Sequence, residues 1–186
     1  MKIKNLFILP TITALLVSNS CVLNFESSHP SFEITEYHVA DGDTIYFNDN
    51  GQKVGIRILG IDTPETKKKN NKVAKYENFF AQRAAQFMQN ILKNKLINVR
   101  KLSSDKYGRW VCVVRNYQGI DVAKLLLGAG LARVKYISKT RSNFAYWVND
   151  EWSQKYYDEI IKIQNDAKRS RRGFWIHNEK DVFWKK

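Results

Sequence analysis

Two rhythms of apolar and polar positions alternate along the chain: short apolar runs punctuated by turn residues, and longer stripes at helical spacing. Phe32 to Val39 reads as a strand, Asp41-Gly42 as a turn, and Thr44 to Phe47 as a second strand. Asn48-Asp49-Asn50-Gly51 is a hairpin turn, because Asn-Gly tolerates positive φ at little cost. A third strand runs from Lys53 to Ile61 and stops at Thr63-Pro64, since proline brings no N–H to a ladder. An antiparallel meander this closely spaced points to a barrel or sandwich. Past the polar loop Lys67–Lys72, the spacing of Phe80, Ala84, Phe87, Met88, Ile91 and Leu92 predicts a helix from Tyr76 to Asn94, its stripe turned to the core. Leu96 to Leu102 and Trp110 to Asn116 read as the fourth and fifth strands.

Asp121 then caps a short helix, Val122 to Leu127, which Gly128 and Gly130 end. Leu131 to Ile137 is a short extended piece. A longer helix is predicted from Phe144 to Arg172, with Trp152, Tyr156, Ile160, Ile163 and Ala167 on one face. The cations Lys168, Arg169, Arg171 and Arg172 in its last turns complement the helix dipole. No internal repeat, low-complexity run or second domain interrupts this order.

Residues 1–20 follow a different pattern. Lys2 and Lys4 precede an apolar run from Leu6 to Val17, too short to cross a bilayer, and Ser18-Asn19-Ser20 follows it. That is the layout of an export signal. Cys21 stands where a bacterial lipoprotein signal places its lipidated cysteine, although Ser18 occupies a position that is normally apolar. The expectation is an exported protein held to a membrane by a lipid on Cys21, with plain secretion as the alternative. Residues 21–31 would then be a tether and 32–186 the folded domain.

Composition changes the picture in one respect. The chain carries 31 Lys+Arg against 18 Asp+Glu, a net charge of +13. Removing residues 1–20 takes away two lysines and no acid, which leaves +11. Such an excess attracts nucleic acid or an anionic membrane, or else serves solubility alone. The cysteines and histidines narrow the chemistry further. Cys112 lies in an apolar strand with no histidine motif beside it, and His29, His38 and His177 are scattered, which argues against a catalytic thiol and a zinc site.

Three patches remain: Asp41-Gly42-Asp43-Thr44, Arg57 through Asp62-Thr63-Pro64-Glu65-Thr66, and Asp105-Lys106-Tyr107-Gly108-Arg109. A hard cation such as Ca²⁺ takes carboxylates, carbonyls and waters, and adjacent antiparallel strands can bring Asp43 beside Asp62. Glu65, across the proline turn, can hold a water next to that cation. A phosphodiester under attack gains charge on its equatorial oxygens, which guanidinium forks match, so Arg57 and Arg109 are candidate clamps. Either arginine alone would ordinarily be read as a surface ion pair. The five lysines between Lys67 and Lys75 read as a solvated, mobile loop that can also draw a phosphate backbone toward the acids.

In this order, and with Gly130-Leu131-Ala132, the motifs closely resemble the staphylococcal (micrococcal) nuclease family, the thermonucleases, from about Glu33 to Trp175. The resemblance implies an α+β protein, mainly β: an OB-fold, a five-stranded Greek-key barrel with about three packed helices. It implies that Asp43 and Asp62 bind Ca²⁺ directly with the Thr63 carbonyl, and that Asp41 sits close through water. Glu65 would be the general base or orient the water, and Arg57 and Arg109 would bind the scissile phosphate. Lys106 and Tyr107 would contact a terminal phosphate, and Tyr136 would pack near a base. The implied activity is hydrolysis of DNA and RNA by in-line attack of a water, leaving 3′-phosphates, in a monomer. Two departures stand out. Ser138 occupies the place of the family prototype's second tyrosine, and the segment from Tyr136 to Trp175 is longer than expected. Its Phe144, Tyr146, Trp147 and Trp152 read as core, although exposed ones would extend a nucleic-acid groove. The rival readings are a non-catalytic OB module that binds nucleic acid and an adhesive lipoprotein, but neither explains acids and arginines filled at all five positions.

Overall fold

The computed structural model describes residues 30–142 and 146–184. The export signal, Cys21, most of the tether and Phe144 therefore lie outside the described residues. The expected first strand is broken at Thr35-Glu36 into β1 (Ser31–Ile34) and β2 (Tyr37–Asp41). β2 pairs antiparallel with β3 (Thr44–Asp49), and β3 with β4 (Gln52–Ile58) across the Asn50-Gly51 turn. β6 (Ile97–Ser104) pairs antiparallel with both β1 and β7 (Trp110–Arg115), while β4 and β7 run parallel. The order across the sheet is β1-β6-β7-β4-β3-β2. Only two residues join the strands at its opposite edges, so the sheet has to curl until those edges meet. This gives the OB-like α+β architecture: one bent strand serves both edges of the barrel.

The barrel is filled by β-branched and small side chains on the inward face of each strand. Ile45, Ile56, Ile97, Val99, Cys112 and Val114 are fully buried. Burial pushes the Cys112 thiol up to about 12, so it behaves as a small hydrophobe.

The third strand is shorter than its apolar run. It ends at Ile58 because Gly60 takes a positive φ of 74°, and a side chain there would crowd Ile160 and Ile137. Ile61–Asp62 then leaves the main sheet as β5 and pairs antiparallel with β8 (Arg133–Val134), all that remains of the expected 131–137 extended piece. That departure carries Asp62 away from the barrel wall toward the acids of the first turn.

α1 (Glu77–Leu92) buries Phe80, Ala84, Met88 and Leu92 against the barrel, with Phe87 and Ile91 half-buried beside them. It presses directly on the β2–β3 turn. A Cβ on Gly42 would lie 2.6 Å from the Ala84 Cβ and 2.8 Å from the Thr63 methyl, so only glycine fits between Asp41 and Asp43. α2 (Val122–Gly128) is capped by the Asp121 carboxylate, which accepts from the Lys124 amide. α3 (Glu151–Arg169) begins later than predicted, because Asp150 caps it by accepting from the Ser153 amide at 2.9 Å. Its inner face is Tyr156, Ile160, Gln164 and Ala167, with Trp152 and Ile163 half-buried. Arg171 and Arg172 fall beyond its end. Two 3₁₀ turns, Gly173–Ile176 and Glu179–Asp181, fold the chain back over the helices and bury Phe174, Val182 and Phe183.

Candidate active site

The acids and arginines singled out in the sequence converge at one end of the barrel. In the β2–β3 turn the Asp43 amide donates to the Asp41 carboxylate at 3.2 Å, which sets the two acids side by side. The β3–β4 register pairs Thr44 with Arg57, so the guanidinium lies over the same turn. Its Nη1 donates to Asp43 Oδ1, and its Nη2 donates to the Ile61 carbonyl at 3.1 Å and to Asp62 Oδ1 at 3.2 Å. Asp43 Oδ2 accepts from the Thr63 amide at 2.9 Å, which ties the loop after β5 to the turn after β2.

Arg109 reaches the same place from the opposite side. Asp105 holds the β6–β7 turn by accepting from the amides of Tyr107 and Arg109, and it also accepts from Arg109 Nε at 2.8 Å. Arg109 Nη1 then extends to the Thr44 hydroxyl at 3.4 Å. Those hydrogen bonds hold the Asp105 carboxyl below its usual range although burial opposes them. Lys106 and Tyr107 sit on the tip of the turn, where Tyr107 is 72% exposed with Lys106 and Arg109 beside its ring. Tyr136 lies on the other flank, with the Arg57 guanidinium carbon 5.6 Å from its ring centre. Glu65 reaches solvent from the loop after Pro64.

The electrostatics are those of a site with more negative charge than it can comfortably hold. Burial pushes the Asp43 carboxyl up to about 6; Arg57 opposes the rise and neighbouring Asp41 adds to it. Burial disfavours the charge on Arg57, but Asp43, Asp62 and Asp41 together hold its pKa above the ordinary arginine value. Partial burial raises the Glu65 carboxyl, and the charges of Asp43 and Asp62 raise it further.

Sequence reasoning missed three supports. Arg133, 6% exposed, donates from Nε and Nη2 to Asp62 Oδ2 at 3.0 and 2.8 Å, and from Nη1 to Glu179 at 2.7 Å. Glu77, also buried, accepts from the amides of Glu65, Ala74 and Trp184, so the loop bearing Glu65 is tied to α1 and to the C-terminal segment. The lysine loop, expected to be mobile, is pinned at its start: the Lys67 amide donates to Asn78 and the Lys68 amide to Asn71. Arg133 stands 71 residues from Asp62 and 46 from Glu179, and Glu77 stands 107 from Trp184, spans that leave no local pattern. A buried arginine two residues past Gly130-Leu131 was nevertheless a signal, since such a residue needs an acid.

Among the described residues no three His, Cys, Asp or Glu side chains gather at metal-holding distance. The Arg57 guanidinium stands between Asp43 and Asp62 and engages both. The donors around it are all oxygen: Asp41, Asp43, Asp62 and the backbone at Thr63. That set fits a hard divalent cation once the arginine yields Asp43. Chemically, the arrangement can hold such a cation and a phosphate group together, with two guanidinium forks and a raised carboxyl around them.

Comparison with known proteins agrees with this geometry. A family model described as "Staphylococcal nuclease homologue" matches residues 55–177. An uncharacterised protein of Methanocaldococcus jannaschii, MJ1439, is 31% identical over 171 residues, covering 82% of this chain and 75% of that one. The SPbeta prophage-derived endonuclease YokF of Bacillus subtilis is 34% identical over 154 residues, 78% of this chain and 45% of its own length. The thermonuclease of Staphylococcus hyicus is 31% identical over 140 residues, 74% of this chain and 72% of its own.

Proposed function

The chain belongs to the family of staphylococcal nuclease homologues and is a phosphodiester hydrolase, and from that premise we propose a Ca²⁺-dependent nuclease that cuts DNA and RNA to 3′-phosphate products at the Asp43–Arg57–Asp62 cluster. The observation that carries the proposal is this ion cluster. Two poorly exposed carboxylates share one guanidinium at the barrel end, with a raised acid, Glu65, on the adjoining loop. A purely structural ion pair needs neither the extra acids nor the second arginine. Asp43, Asp62 and the Thr63 carbonyl would hold the cation, with Asp41 acting through water; bound there, Ca²⁺ supplies positive charge to a phosphate oxygen.

The protein's own groups do the rest. Arg57 spends three of its five N–H donors on Asp43, Ile61 and Asp62 and keeps two for a phosphate. Arg109 is held by Asp105 in the same way, with its remaining donors free to turn to a second phosphate oxygen. Glu65 is raised toward neutrality, which suits a group that takes a proton from water as the water oxygen bonds to phosphorus. The bond from phosphorus to the 5′-oxygen breaks in line, that oxygen leaves as a hydroxyl by taking a proton from solvent, and the phosphate stays on the 3′ side. Lys106 and Tyr107 would meet a terminal phosphate, and Tyr136 a base. We further propose export and lipidation at Cys21, which the order of residues 2–21 supports.

The test is digestion of denatured DNA and of RNA with Ca²⁺, with Mg²⁺, and with excess chelator, the product ends being examined for 3′-phosphate. Cleavage is expected with Ca²⁺, weakly with Mg²⁺, and not with chelator. Equal turnover in Mg²⁺ or undiminished cutting in chelator would reject the Ca²⁺ assignment. Binding without cutting under every condition would leave a nucleic-acid-binding module.

A further inference from the structure

Beyond the acid and arginine cluster, the segment after β8 sets a second tyrosine beside Tyr136. Tyr136 has a positive φ of 60°, a costly conformation for a bulky side chain, and its ring is 42% exposed. Ten residues on, the chain returns and pairs with itself. The Ser138 amide donates to the Tyr146 carbonyl at 2.7 Å, and the Val148 amide donates to the Ser138 carbonyl at 2.8 Å, a parallel bridge between Ser138 and Trp147. This fold-back sets the Tyr146 ring 5.2 Å from the Tyr136 ring, inclined at 60°, and 41% exposed. Arg57 and Lys135 both lie within 6 Å of the Tyr136 ring.

Two large aromatic rings left open to solvent on a strained, hydrogen-bonded frame are not core packing. Inclined in this way they form a corner, in which one ring can stack on the face of a planar group while the other meets its edge. The flanking cations match the phosphates on either side of such a group. We infer that Tyr136 and Tyr146 together form a nucleobase site, in which Tyr146 is a substrate-binding and specificity-determining residue supplied by the fold-back. This deepens the reading of the site as one that cuts nucleic acid, and rests on it. A base seated in the corner sets the register of the strand next to Arg57, and the corner requires bases that are unpaired.

The experiment uses the chain from Cys21 onward, as wild type, Tyr146→Ala and Tyr146→Phe. Binding is read by fluorescence anisotropy in chelator, without turnover, on a short labelled oligothymidylate and on an abasic strand of equal length. Wild type should bind the base-bearing strand about tenfold more tightly, the scale of one base stacked on an aromatic ring. Tyr146→Ala should lose most of that difference while its affinity for the abasic strand stays unchanged, which also certifies its fold. Tyr146→Phe should keep the difference. Equal loss on both strands in the alanine variant, or a preserved tenfold difference, would overturn the inference. Cleavage is measured separately, so a wild type that does not cut would count against the catalytic roles proposed above and not against this site.

Discussion

Replacing Asp43 with asparagine should make the chain more stable without metal while removing most of its activity. The Asp43 carboxyl lies in the interior beside Asp41, and its pKa rises from the ordinary 3.8 to about 6 even with Arg57 against it. The folded state therefore resists ionising a group that the unfolded chain ionises freely. Below about pH 4 both states hold the proton and there is no penalty. Between 3.8 and 6 the unfolded chain releases its proton first, so stability falls as pH rises; above about 6 the full penalty persists. A rise of this size corresponds to about 3 kcal/mol. Asparagine carries no charge, its carbonyl oxygen can still accept the Thr63 amide, and its NH₂ replaces the oxygen that faced Arg57 and Thr44, whose hydroxyl can turn to accept from it. Arg57 keeps Asp62 and the Ile61 carbonyl. The assay is urea or thermal unfolding of both proteins in chelator from pH 4.5 to pH 8. At pH 8 the variant should gain up to about 3 kcal/mol, or roughly 6 to 12 °C in Tm for a domain of this size. At pH 4.5, where the unfolded chain has already lost most of this proton, the gain should shrink to about 1 kcal/mol. Cleavage with Ca²⁺ should fall by roughly a hundredfold or more, the scale of losing one well-placed charged group. An asparagine variant that is less stable at pH 8, or whose gain is the same at every pH, would refute the reasoning.

Further expectations test the neighbouring groups. Arg57→Lys keeps the charge but loses the fork, and should lower kcat and kcat/KM together by roughly a hundredfold, whereas substituting Lys67, Lys68 and Lys69 should weaken binding modestly and flatten its salt dependence. Steady-state cleavage of a short single strand at several salt concentrations separates the two, and a loop variant that loses kcat as heavily as Arg57→Lys contradicts the assignment. Arg133→Met strands the Asp62 carboxylate on that side and should cost about 3 kcal/mol in urea unfolding, against less than about 1 kcal/mol for Glu179→Gln, whose carboxylate is half exposed. Equal losses would mean that the buried half of the tie is no stronger than the exposed half. Finally, Cys21→Ser should release the protein from membranes or leave its precursor unprocessed; wild type found wholly soluble with another N-terminus rejects lipidation.

The fold and the candidate site were legible to different depths. Strand alternation and the helical stripe of Phe80, Ala84, Met88 and Leu92 are local signals, and they marked the barrel and α1 to within a residue or two. The break at Thr35-Glu36 was not legible, because a bent strand and a straight one carry the same alternation. Nor was the end of β4 at Ile58, since Leu59-Gly60-Ile61 is as apolar as the strand before it and only the tertiary contact of Gly60 with Ile137 and Ile160 fixes the turn. The Asp43, Arg57, Asp62 and Arg109 cluster was readable because turns and register bring those residues together over short spans. Arg133, Glu77 and Tyr146 escaped because each matters through a partner that folding alone brings near. Tyr146 in particular reads as one more hydrophobe until the bridge to Ser138 turns it outward.

The tie from Asp62 through Arg133 to Glu179 crosses 71 residues and then 46, so its last member is made well after the other two. Protein synthesis runs in that same direction. By the time Tyr136 has been made, every group of the candidate site is present in the nascent chain, yet Glu179 and the buried Phe174, Val182 and Phe183 have still to be added. Glu65 waits as well, since the Glu77 that holds its loop also takes the amide of Trp184. An unfinished chain is thus a set of reactive residues without the frame that aims them. For a phosphodiester hydrolase, the groups that act and the frame that aims them come together only when the segment from Phe174 to Trp184 has folded back on the barrel.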